Sequence, residues 1–173
     1  MRVIKYGNPI LRMKAKRVEK VDHRIRQLVN EMIEIMRDEE GIGLAAPQVA
    51  ESISLLVVDH SLIEEDGEPS AYLNPEILAA EGESVFEEGC LSIPDVREDV
   101  KRPEVISVRY EDIDGNIHEK KVDGLLARVL QHEIDHLNGI LFVDRISPVK
   151  KKMIQKKLKQ IAAEEREAMA QVA

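Results

Sequence analysis

The sequence predicts an α+β fold with helices packed on antiparallel sheet, and three observations carry the prediction. Helical periodicity appears in three separated segments, one early and two late. Between the first two lie short runs rich in Ile and Val, and two of these flank Asp114-Gly115-Asn116, a turn sequence suited to a hairpin. The order helix, strands, helix, helix is that of an α+β chain rather than an alternating one. No repeat, low-complexity tract or linker divides the 173 residues, so a single domain is expected.

Each element has a local reason. Asp22 can cap a helix whose apolar positions Ile25, Leu28, Val29, Met32, Ile33 and Met36 fall at the three-four spacing of one face. That helix runs into Asp38-Glu39-Glu40 and breaks at Gly41. Residues 53–59 form an apolar run rich in β-branched side chains, and residues 105–110 and 117–122 are the arms of the expected hairpin. Residues 124–137 recover helical periodicity, with Gly139 placed to end it and no proline inside. Ser147-Pro148 supplies a cap and a proline at the first helical position, opening a third helix toward the C-terminus.

Composition narrows the function classes. With 34% charged and 43% hydrophobic residues and no apolar run of bilayer length, a soluble protein is expected, without a membrane partner. The N-terminal residues lack the apolar core and small-residue site of a secretory signal, so the expected location is cytoplasmic. A net charge of -8 argues against general affinity for DNA, although Lys150, Lys151, Lys152, Lys156, Lys157 and Lys159 make the last segment locally basic. Cys90 is the single cysteine, which excludes an internal disulfide and leaves a small buried group, a ligand or a nucleophile.

His132-Glu133-Ile134-Asp135-His136 is an H-E-x-x-H pattern inside the second predicted helix. Residues four apart share a helix face, so both imidazoles can reach one metal, while Glu133 sits about 100° round and can lean toward a bound water. A third ligand is needed. The metzincin continuation demands a histidine where Phe142 stands, Asp144 follows too closely for a returning helix, and Glu164 lies in a highly charged terminal segment. Cys90, in Glu88-Gly89-Cys90-Leu91-Ser92, would complete a Cys-His-His set with one open position, as a catalytic site requires. Leu125 and Val129 precede the histidines on the same face and predict an apolar pocket beside the metal, with Arg128 an unexpectedly polar neighbour. Gly43 and Gly89, lacking a Cβ, would permit close backbone approach beside the site. Residues 41–46 also match G-x-G-x-x-A, but a dinucleotide loop needs a strand before it and a helix after it, whereas here a helix precedes and Pro47 follows. His23, His60 and His118 are scattered and are assigned surface or packing roles.

Three segments together, residues 41–48 (GIGLAAPQ), 88–92 (EGCLS) and 131–136 (QHEIDH), resemble the peptide deformylases of bacterial type, in the family's order. The resemblance implies antiparallel sheets wrapped around a central metal-binding helix. Residues 1–147 would be the catalytic metal-binding part and residues 148–173 the C-terminal helix of the same domain. It implies hydrolysis of the formyl group from formyl-Met of nascent polypeptides, with Cys90, His132 and His136 on the metal, Glu133 as general acid/base, and Gln48 and Leu91 flanking the substrate carbonyl. Ile42 and Phe86 would wall the methionine pocket. Softness of the ligand set suits zinc, but the resemblance implies Fe2+, with Zn2+, Ni2+ or Co2+ as substitutes. It also implies docking of the Lys-rich helix on the ribosome near the exit tunnel. A zinc endopeptidase and a non-catalytic metal-binding or ribosome-associated module are the competing readings; Glu133 and the open ligand position count against the module.

Overall fold

The first helix, α1 (His23–Asp38), begins where the Asp22 carboxylate accepts a 3.0 Å hydrogen bond from the Ile25 N–H, satisfying a backbone donor that a helix start leaves free. Its expected apolar face is the buried one, with Met32 and Met36 fully covered and Ile33 packed at the margin. The structure is a computed structural model that describes residues 1–172; Ala173, the end of the expected C-terminal helix, lies outside the described residues.

Seven strands follow α1. Strands β1 (Gly43–Ala45), β2 (Leu55–Asp59), β3 (Pro69–Glu81), β6 (Val105–Glu111) and β7 (Ile117–Val122) form an antiparallel sheet in the order β1-β2-β3-β6-β7. Strands β4 (Ser84–Cys90) and β5 (Ile93–Arg102) pair as a separate antiparallel ribbon. The expected hairpin is β6–β7. Its turn is held by the Asp112 carboxylate, which accepts from the Asp114 and Asn116 N–H groups, with Gly115 at φ +85°. The run at residues 53–59 pairs from Leu55 onward. Sequence periodicity did not reveal β3, β4 or β5. Pro75 and register shifts interrupt β3, and exposed charged side chains crowd β4 and β5, so neither presents a clean alternation.

Helix α2 (Gly124–Leu137) has the bounds its periodicity predicts and is central: every residue from Ala127 to Leu137 is buried. Val129, Leu130 and Ile134 share one core cluster with Leu56 and Val58 of β2 and with Ile106 and Val108 of β6. The chain leaves α2 through Gly139, at φ +74°, where a Cβ would meet the Arg12 carbonyl oxygen at 2.6 Å. Helix α3 (Pro148–Val172) opens as expected, with Ser147 Oγ accepting from the Lys150 N–H at 3.3 Å. Its Leu158 and Ile161 pack with Ile4, Ile93, Val96 and Phe142. Antiparallel sheets around a central helix, with a C-terminal helix, are thus the observed α+β architecture. None of the helices is long and apolar enough to cross a membrane among the described residues.

Candidate metal centre and active site

Helix α2 sets His132 and His136 one turn apart, with their rings edge to face and centroids 5.1 Å apart. Cys90 arrives from the end of β4, where a register shift between Glu88 and Cys90 breaks the ladder and turns the thiol inward. Its Sγ lies 3.3 Å from His136 Nε2, and one ligand atom from each of Cys90, His132 and His136 lies within 4.8 Å of the others. The Glu133 carboxylate faces the same point: Oε1 is 4.0 Å from His136 Nε2, buried, and without a hydrogen-bond partner among the described residues.

Burial and mutual charge move the titratable groups of the site in different directions. Burial lowers the tendency of His132 to hold a proton, but Glu133, Cys90 and Glu88 outweigh it and raise His132 well above the usual histidine range. Burial, reinforced by the charge of His132, instead holds His136 well below that range. Burial pushes the Glu133 carboxyl up to about 7, opposed by His132 and reinforced by Glu88. Two imidazoles and a thiol beside a buried carboxylate are a donor set that suits a borderline-soft divalent metal.

Every residue expected at the site borders one cleft of about 460 Å³, except His136, which lies beneath it. Gln48 is carried in by a 3-10 turn, Ala46–Val49. Its Oε1 accepts the Ala45 N–H at 2.9 Å, so Nε2 must face Ser92 Oγ, at 3.1 Å, and Cys90 Sγ, at 3.5 Å. Leu91 occupies the turn between β4 and β5, its carbonyl oxygen accepting from Lys5 Nζ at 3.1 Å. Val129 is buried, whereas Leu125 and Phe86 are partly open on the cleft wall. The two glycines have tighter reasons than backbone approach. A Cβ at Gly43 would lie 2.8 Å from Glu133 Oε2, and one at Gly89 would lie 2.8 Å from the Arg97 guanidinium.

Sequence reasoning assigned no role to the ionic layer behind the ligands. Glu88 Oε1 accepts from His132 Nδ1 at 2.8 Å, leaving the other ring nitrogen for the site. Arg102 grips Glu88 through Nε, at 2.6 Å, and Nη2, at 3.0 Å. Burial raises the Glu88 carboxyl, yet the hydrogen bonds from His132 and Arg102 outweigh it and hold that carboxyl well below the usual range. Arg128, polar where a pocket rim was expected, is buried and donates to Glu88 Oε2 at 2.8 Å and to the Val100 carbonyl at 2.9 Å. Glu88 stood inside a motif and Arg128 broke an apolar face; those were the available signals. The histidines outside the motif are elsewhere: His60 meets the Tyr72 hydroxyl and His118 meets Asp112. Asp144 is engaged by Arg12 and the Leu141 N–H, and Glu164 is exposed, so neither competes as a ligand.

The sequence model of the polypeptide deformylase family matches residues 1–152. The chain belongs to this family. Peptide deformylases from Mesorhizobium japonicum and Dictyoglomus turgidum are similar to it, the first 50% identical over 90% of this chain and 89% of its own, the second 51% identical over 84% and 92%. Solved deformylases agree in three dimensions. The Legionella pneumophila structure is 41% identical with a TM-score of 0.86 over 95% of this chain and 96% of its own. A Plasmodium falciparum structure is 37% identical with a TM-score of 0.90 over 95% and 97%. The expected family is therefore the observed one, and the endopeptidase and non-catalytic readings fall away.

Proposed function

We propose that this chain is a cytoplasmic metal-dependent amidohydrolase that removes the formyl group from the N-terminal formyl-Met of nascent polypeptides. In this reading Cys90, His132 and His136 hold one divalent ion and Glu133 is the general acid/base. The observation that carries it is the buried Glu133 Oε1, without a hydrogen-bond partner among the described residues, beside the Cys-His-His trio at the base of an open cleft. When bound, the ion supplies a Lewis acid and brings the pKa of a water from near 16 to about 7. Glu133 accepts the proton at Oε1 and returns it to the departing amine. A carboxyl held near 7 by burial is suited to both transfers.

The formyl oxygen gains charge as its carbon becomes tetrahedral. Gln48 Nε2, locked in orientation by Ala45, and the Leu91 N–H are the donors for it, and losing one such donor costs on the order of a hundredfold in rate. Val129, Leu125, Phe86 and Ile42 give the methionine side chain an apolar wall. Strand β1 lies at the edge of its sheet, so an extended peptide beside Gly43 can meet unpaired backbone. The family resemblance supports Fe2+ as the native ion, with Zn2+, Ni2+ or Co2+ able to replace it. Charge supports the ribosome as a partner through α3. Lys150 pairs with Glu98 and Asp99, and Lys157 with Asp95, but Lys151, Lys152, Lys156 and Lys159 point outward and are exposed.

The test is an anaerobic assay of a formyl-Met peptide against its acetyl analogue, with metal measured on the same sample. Hydrolysis of the formyl peptide in proportion to bound metal, with the acetyl peptide spared, is expected. Equal cleavage of both, or full activity in metal-free protein, overturns the reading.

A further inference from the structure

The ionic layer behind the ligands does not stop at Arg102. The remaining guanidinium nitrogen of Arg102, Nη1, donates to Asp135 Oδ2 at 2.8 Å. Asp135 is buried and lies on α2, one residue before His136. Its carboxylate is also gripped from the other side by Arg145, whose Nε reaches Oδ2 at 2.6 Å and whose Nη2 reaches Oδ1 at 2.8 Å. The side chains form a line running inward: Arg145 is 41% exposed, Asp135 11%, and Arg102 and Glu88 3% and 4%. Arg145 is the only member half open to solvent. It ends the short Phe142–Asp144 turn and stands three residues before α3 begins.

Arg102 is shared. Two of its nitrogens serve Glu88 and one serves Asp135, so the position of its planar head depends on how strongly each carboxylate draws it. Arg145 supplies two of the three side-chain hydrogen bonds that Asp135 receives. Without them a buried carboxylate keeps one donor and competes with Glu88 for the same guanidinium. Glu88 in turn fixes the His132 ring through Nδ1, and such outer partners set how well a histidine presents its free nitrogen to a metal.

We propose that Arg145 is a positioning residue: by bracing Asp135 it holds Arg102 on Glu88, which keeps His132 oriented toward the site formed with Cys90 and His136. The inference rests on reading that trio as a metal site, and it assigns a function to a half-exposed side chain remote from the cleft. Loss of a direct outer partner such as Glu88 typically weakens metal binding by about 10- to 100-fold, and Arg145 acts three links further out where water can partly replace it, so about three- to tenfold is expected.

The experiment measures Co2+ affinity by chelator competition, with the visible absorption of the cobalt protein as a second readout, in the full chain. Arg145→Ala should weaken Co2+ binding several-fold and shift or broaden the cobalt bands. Arg145→Lys keeps the charge but not the two-pronged grip, and should recover only part of the loss. Arg12→Ala is the control, because it frees Asp144 in the same turn without touching Asp135, and it should leave affinity and spectrum at parental values. In Asp135→Asn the further change Arg145→Ala should have little added effect. Parental affinity and spectrum in Arg145→Ala, or equal losses in Arg145→Ala and Arg12→Ala, overturn the role of Arg145. Failure of the parental protein to bind one Co2+ overturns the metal site itself.

Discussion

Glu133 and Cys90 sit within one small volume but answer to different physics, and substitution separates them. In the proposed mechanism Glu133→Ala removes the carboxylate that moves protons, so metal content should stay near parental while turnover falls by about 10²- to 10⁴-fold. Cys90→Ala removes one of the three proposed ligands and leaves two imidazoles, so the metal itself should be lost; metal analysis of the two proteins distinguishes these outcomes. Gly43→Ala is a subtler probe. Its Cβ would press on Glu133 Oε2 at 2.8 Å and Val129 Cγ1 at 2.9 Å, so these side chains must shift along the cleft wall to admit it. A displaced base of this kind costs up to about a hundredfold. The expected result is a large fall in kcat with metal retained; unchanged kcat would show that Glu133 tolerates the displacement.

Helix α3 is anchored by one buried carboxylate. Glu165 accepts from Arg2 at 2.8 and 3.0 Å and from Asn8 at 2.9 Å, tying the helix to the N-terminal segment. Burial raises this carboxyl, but the hydrogen bonds from Arg2 and Asn8 outweigh it and lower it from the ordinary value of 4.5. A group lowered in the folded state contributes stability above its unfolded value and loses it as pH falls through the folded value. Glu165→Gln should therefore be less stable at pH 7, by about 2 kcal/mol for the charge-assisted bonds, and the gap should close as the medium is acidified below about pH 4.5. Denaturant titrations of both proteins at pH 7 and pH 3.5 measure this, and a gap of constant size contradicts the anchor.

For the whole molecule, the charge distribution bears on partners and the core bears on how to test them. The chain is acidic overall, yet four exposed lysines stand on one solvent side of α3. Truncation after Ser147 is a poor way to examine them, because it also removes Leu158 and Ile161 from the core, each worth about 1.5–3 kcal/mol when buried. The truncated protein should lose stability together with any docking. Replacing Lys151, Lys152, Lys156 and Lys159 by Glu should instead spare hydrolysis of short formyl peptides while weakening ribosome association. That association should fall steeply with added salt as contacts to RNA phosphate are screened. Equal ribosome binding by the charge-reversed and parental proteins at low salt removes the docking proposal.

The sequence by itself determined the three helices, the β6–β7 hairpin and the candidate residues that meet at the cleft, because each of these is a local matter. Three-four periodicity, Asp22 and Ser147 as caps, Asp114-Gly115-Asn116 as a turn and two histidines four apart all act within a few residues. Only the tertiary structure decided the three long strands from Pro69 to Arg102, whose exposed charges and prolines erase the alternation that would mark them. It alone brought Cys90 within 3.3 Å of His136, residues 46 positions apart, by a break in the β4–β5 ladder. It alone showed why Arg128, Arg102 and Asp135 are charged yet buried. Their cost in lost hydration is offset by partners supplied from different elements, and no pattern along the chain records which distant partner a buried charge will meet.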